Sequence, residues 1–209
     1  MARAGVVSPD TDSGAFAQRP ELGNLPAWVE RADAGTLLAD LTGLDPFARI
    51  LATTDGTVTE ILEAWANDNV AVGRLSQREE SLASPLSALE ANARNLVLRR
   101  EVLLVGAQTR RPLLHAESMI LVERLPATIQ DGLRQGWAPI GKLLRTYRLE
   151  TYREFLHLGR NAAGPLAAQF HLAPTDNLIE RIYRIFAGGR PVMLIQEEFP
   201  ERMADHRLA

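Results

Sequence analysis

Apolar positions change their spacing several times along the chain, and each change marks an element. Residues 1 to 30 have no periodic apolar spacing and predict a disordered tail ending near Leu25, Pro26 and Trp28. The folded domain is expected over 31 to 209 and opens with Leu37, Leu38 and Leu41. At Asp45-Pro46 a helix is predicted, with Asp as N-cap and Pro in the first helical position. Thr57-Val58-Thr59-Glu60 has the form of a capping box. Val58, Ile61, Leu62 and Trp65 then recur at i, i+3, i+4 and i+7, giving one apolar stripe that stops at Asn67-Asp68-Asn69.

From Val70 the period falls to two: Val70, Val72 and Leu75 alternate with Ala71, Gly73 and Ser76 and predict a strand. Residues 80 to 94 read as a polar connection with partial helix. Two strands, about 95 to 105 and 112 to 122, flank a turn at 106 to 111. A helix from Pro126 to Gly136 follows, then another helical turn over 139 to 144. Residues 147 to 158 suggest a strand, with a helix through Glu154-Phe155-Leu156 as the alternative. Runs at 178 to 186 and 191 to 199 are joined by Ala187-Gly188-Gly189-Arg190, whose paired glycines supply the positive φ of a tight hairpin. This order predicts an α+β fold on a single antiparallel sheet of five or six strands.

Composition narrows the chemistry. Hydrophobic residues make up 46% of the 209, enough to build a core and to exclude wholesale disorder. A net charge of -3 gives no electrostatic reason to expect a nucleic-acid or anionic-membrane partner. Zero cysteines exclude disulfides, thiol nucleophiles and thiolate metal sites. The histidines, at 115, 157, 171 and 206, never fall three or four residues apart, so no helix turn offers a metal-ligand pair and no metal is expected. The only lysine, Lys142, limits any Schiff base to that position. No apolar run is long enough to span a bilayer, and the first 26 residues lack a basic start followed by an apolar stretch, so a cytoplasmic protein is expected.

Two charges interrupt apolar rows. In the strand near 100, Leu96, Leu98, Val102 and Leu104 share a face with Arg100, while Arg99 and Glu101 fall on the other, where a solvated ion pair is expected. An arginine on a core face must be paired, snorkel to the edge, or wait for a ligand carboxylate that its planar fork fits. In the last strand Met193, Ile195 and Phe199 share a face with Glu197. Either burial makes Glu197 an acid near neutral pH, or it is the partner of Arg100 or Arg181. His115 and Glu117 share the less apolar face of their strand and are expected to point outward in structural roles.

Around these residues the sequence resembles the chorismate pyruvate-lyase (4-hydroxybenzoate synthase) family, and especially its actinobacterial p-hydroxybenzoic acid synthase branch. The similar stretches include Asp55-Gly56-Thr57-Val58-Thr59, Arg100-Glu101-Val102-Leu103-Leu104, Ala116-Glu117-Ser118 and Ala138-Pro139-Ile140-Gly141. The longest runs from Arg181-Ile182-Tyr183-Arg184 to Arg190-Pro191, and the series closes with Glu197-Glu198-Phe199, so that together they span about 45 to 200. The resemblance implies helical flaps over an enclosed site, no metal or organic cofactor, and elimination of pyruvate from chorismate to give 4-hydroxybenzoate. It also implies roles: Arg100 binds the carboxylate, the backbone N–H groups of Val58 and Ile140 hold the same carboxylate, and Glu197 is catalytic. Relatives differ by one residue near Val58 and Glu197, so Gln196 and Glu198 compete for the last role. The same fold also serves as a non-catalytic effector-binding domain in bacterial regulators, which is the alternative function for this chain. Pattern and resemblance together predict that Arg100 and Glu197 enter one cavity, with Arg99 and Glu198 outside it.

Overall fold

A computed structural model describes residues 21–22, 25–33, 41–136 and 138–203. The tail expected over 1–30 lies outside the described residues as far as residue 20, as do Leu37 and Leu38. Within that span the described part includes a two-residue strand β1 (Glu21–Leu22) and a helix α1 (Ala27–Asp33) that buries Trp28 and Val29.

Two helices come next. In α2 (Pro46–Thr53) Asp45 Oδ1 accepts the Phe47 and Ala48 amides, and the amphipathic pattern buries Ala48, Leu51 and Ala52. The stripe of α3 (Val58–Ala66) buries Val58 and Leu62, and its end at Asn67 is an αL residue with φ 51°. Phe47 stacks on Trp65 at 4.6 Å, joining α2 to α3. The capping box is not formed. Thr57 makes no side-chain cap, and Glu60 pairs with Arg145 instead. The Glu60 amide that the box would have capped donates to the Thr57 carbonyl instead, and the Val58 amide ahead of it has no backbone acceptor among the described residues.

The sheet contains β2 (Val70–Leu82), β3 (Leu96–Gly106), β4 (Pro112–Ile120), β5 (Tyr152–Ala162), β6 (Asn177–Ala187) and β7 (Arg190–Pro200), in the order β1-β2-β3-β4-β7-β6-β5. The six long strands pair antiparallel, and β1 adds a short parallel edge. The β6–β7 hairpin turns at Gly188 and Gly189, with φ 56° and 76°. Strand β2 outruns its prediction because a register shift between Arg74 and Ser76 breaks the period-two pattern. Beyond the shift it carries polar side chains toward α4 (Ala127–Gln135), where Gln77 donates to the Leu133 and Arg134 carbonyls. The helical part of 80–94 is one 3-10 turn, Ser87–Leu89. Strand β5 starts at 152 because α5 (Ile140–Thr146) runs on to 146 and Arg148 adopts φ 50°.

Both faces of the sheet are covered. One carries a cluster under α2 and α3 (Leu51, Leu62, Val102, Leu104, Leu114, Phe199) and another under α4 and α5 (Leu98, Ile129, Leu133, Leu143, Tyr183, Ile195). The site lies where these two meet. The opposite face is closed by α1 and by the short α6 (Ala167–Phe170), which buries Phe170. That cover overturns the outward placement of His115, which is 2% exposed and lies 3.2 Å from both Glu198 and Glu101. Arg99 pairs with Glu117 across the strands at 3.2 Å, not with Glu101. Alternation tells which residues share a face; it does not tell what covers that face.

Candidate active site

Arg100 and Glu197 line one cavity, together with Val58, Ile140 and the apolar side chains of Val102, Leu104, Leu114 and Ile195. Arg99 and Glu198 are outside it, on the other face of the sheet. Its volume is about 60 Å³.

Arg100 stands mid-strand in β3 and is 2% exposed. Its Nη2 donates to the carbonyls of Gly136 and Ala138, both at 3.0 Å, which pins the connection between α4 and α5 over the cavity. Its Nε has no acceptor, and no carboxylate pairs with it among the described residues. Burial, with the nearby Arg74 charge adding to it, pushes the guanidinium down from 12.5 to about 10, so it stays cationic at neutral pH. A buried cation without an anion is costly to a folded chain. That cost marks a site built for a ligand.

Two helix starts face this arginine. Val58 and Ile140 are the first residues of α3 and α5, where N–H groups have no intrahelical acceptor. Neither amide has a backbone acceptor among the described residues. The helix ends approach closely because Gly141 lacks a side chain: a Cβ there would meet Thr57 Cγ2 at 2.7 Å. Two N-terminal amides beside this guanidinium offer hydrogen-bond donors and positive charge of the kind that can accept a carboxylate.

Glu197 on β7 is 7% exposed and paired. Its Oε2 accepts from Arg181 Nε at 2.6 Å and Nη2 at 2.5 Å, and its Oε1 accepts the Tyr183 hydroxyl at 3.0 Å. Of the two partners weighed from the sequence, Arg181 is therefore the one observed. Arg181 also donates to the Leu51 and Thr54 carbonyls, tying the end of α2 to the sheet. Burial chiefly, and then the Glu197 charge, raise the Tyr183 hydroxyl far above its usual range, so it remains a hydrogen-bond donor.

Sequence reasoning did not single out Tyr183 or Arg153, which also line the cavity. The signal was present. Tyr183 alternates with Arg181 in the longest family-like stretch, and Arg153 alternates with Phe155 in the strand that starts later than expected.

The sheet and its helical flaps define an α+β domain built around an internal, cationic, small-molecule-sized cavity. Its backbone is similar to the effector domain of PhnF from Mycobacterium smegmatis, with TM-score 0.55 and 13% identity over 69% of this chain and 88% of that one, a likeness of fold alone. The family is shown by sequence. Residues 52–207 match the Rv2949c-like chorismate pyruvate-lyase family, and the chain belongs to it. It is 31% identical to the chorismate pyruvate-lyase of Mycobacterium leprae, covering 77% of each chain. It is 32% identical to the corresponding protein of Mycobacterium tuberculosis strain CDC 1551 / Oshkosh, over 72% of this chain and 78% of the other.

Proposed function

We propose that this chain is a chorismate pyruvate-lyase whose cavity holds the ring carboxylate at one end and handles one proton at the other. Family membership supports the reaction. The observation that carries the site is Arg100, a buried cation whose Nε has no acceptor and which pairs with no carboxylate among the described residues, set beside the N-termini of α3 and α5. In this reading Arg100 and the N–H groups of Val58 and Ile140 bind the ring carboxylate. Strand order then directs the rest of the substrate across β4 toward Glu197 on β7.

The chemistry asks little more. The bond between C3 and the ether oxygen breaks, C4 loses a proton, and the ring becomes aromatic; the departing enolate takes up one proton and becomes pyruvate. Atoms and charge balance without an added reactant. Glu197 is assigned to that proton: its carboxylate takes it from C4 and returns it to the three-carbon fragment, while Arg181 and Tyr183 hold the carboxylate in place. The N–H donors and Arg100 fix the ring without reorganising, which is where most of an enzyme's help in such an intrinsically favourable elimination lies. A cytoplasmic setting is part of the proposal.

The test is direct. Purified protein incubated with chorismate should release pyruvate and 4-hydroxybenzoate in equal amounts. Tight binding of 4-hydroxybenzoate with no pyruvate formed would leave a non-catalytic binding domain of the same fold.

A further inference from the structure

Arg153 also lines the cavity, from strand β5. Its Nη1 donates to the Asp55 carbonyl at 2.8 Å, in the loop just before α3, and no carboxylate pairs with it among the described residues. Its charge acts on Tyr183, the hydroxyl that donates to Glu197. The order β3-β4-β7-β6-β5 sets Arg100 and Arg153 at opposite ends, with Glu197 and Tyr183 between them. Four strand intervals separate their backbones by about 19 Å, and both side chains turn inward to the same space.

The charges make the pattern informative. Arg100, Arg153 and Arg181 are positive and Glu197 is negative, and Arg181 is committed to Glu197. Among the described residues, neither of the two cations at opposite ends of this cavity, buried Arg100 and half-buried Arg153, has a carboxylate partner. The complement is a small dianion with one carboxylate at each end and its reacting bond in the middle.

We infer that Arg153 binds the carboxylate of the departing three-carbon fragment, while Arg100 holds the ring carboxylate; the inference rests on the lyase reading of the cavity. Arg153 is then a specificity residue that contacts the substrate and the leaving enolate but not the aromatic product. Its bond to Asp55 also couples the presence of that fragment to the loop that carries the Val58 amide.

The experiment compares Arg153→Gln, which keeps a donor for the Asp55 carbonyl but loses the charge, with Arg153→Lys, which keeps the charge. Steady-state kinetics on chorismate and calorimetry with chorismate and 4-hydroxybenzoate are measured for each. Loss of a charge-assisted contact should weaken chorismate about 10- to 100-fold in Arg153→Gln, with 4-hydroxybenzoate affinity within about threefold of wild type and Arg153→Lys in between. Unchanged chorismate affinity would overturn the inference. So would an equal loss for 4-hydroxybenzoate, which would make Arg153 only a tether for the loop. Should wild-type protein form no pyruvate, the lyase reading fails by itself; the calorimetric preference for the dicarboxylate, and its loss in Arg153→Gln, still tests Arg153.

Discussion

Replacing Arg100 with methionine, which fills similar space without charge, should abolish carboxylate binding yet leave the empty protein nearly as stable as before. The fall of the guanidinium from 12.5 to about 10 corresponds to on the order of 3 kcal/mol by which the folded interior disfavours the cation. The sign follows from a depressed basic group: the penalty is present in full below pH 10 and is relieved only as pH rises above that value. Methionine removes it. Against this gain, the Gly136 and Ala138 carbonyls lose their donor, at about 1–1.5 kcal/mol each. The two terms nearly cancel, so the midpoint of thermal unfolding should move by less than about 5 °C in a chain of this size. An arginine held in a structural ion pair would behave otherwise, since removing one partner costs about 3–5 kcal/mol. The assay is thermal unfolding with and without 4-hydroxybenzoate. At one hundred times its Kd the ligand should stabilise wild type by about 2.7 kcal/mol, and the variant not at all. A variant that loses more than about 3 kcal/mol without ligand, or that keeps the ligand-induced shift, would refute the reasoning.

Glu197→Gln should lower turnover by about 10²–10⁴-fold with 4-hydroxybenzoate affinity little changed, read by steady-state kinetics beside calorimetry; near-normal turnover would move the proton to bound water, because Glu198 is on the other face with His115. The same variant should destabilise the protein, since it leaves the buried Arg181 without its anion, and chemical denaturation reads that loss against the small effect of Arg100→Met. Activity should survive exhaustive chelation, because the chain has no thiol and no histidines at ligand spacing; loss with EDTA and recovery with a divalent ion would reject this. Burial opposes a charge on His115, but bonds to Glu198 and Glu101 outweigh it and raise its pKa above 6.5. Its stabilisation should be complete below pH 6.5 and disappear as pH rises through the raised value, so denaturation midpoints should fall with pH there, and His115→Gln should flatten the curve.

The order of elements, the hairpin at Gly188-Gly189 and the cavity-facing row that contains Arg100 and Glu197 were all legible in the sequence, because period and turn chemistry are local properties of the chain. The stop of α3 at Asn67 was equally local. What the chain could not state by itself is what meets what. Thr57 and Glu60 spell a capping box, yet the Glu60 side chain finds Arg145 of α5 and the Glu60 amide turns to the Thr57 carbonyl. His115 sits on the polar face of its strand, yet α1 and α6 cover that face and bury it between two glutamates. Arg100 and Glu197 look alike as charges in apolar rows, but only packing gives Glu197 a cation and, among the described residues, leaves Arg100 without an anion. Partner choice among charges depends on distances between strands far apart in sequence, such as β3 and β5, and those distances exist only once the sheet has formed and the helices have closed over it.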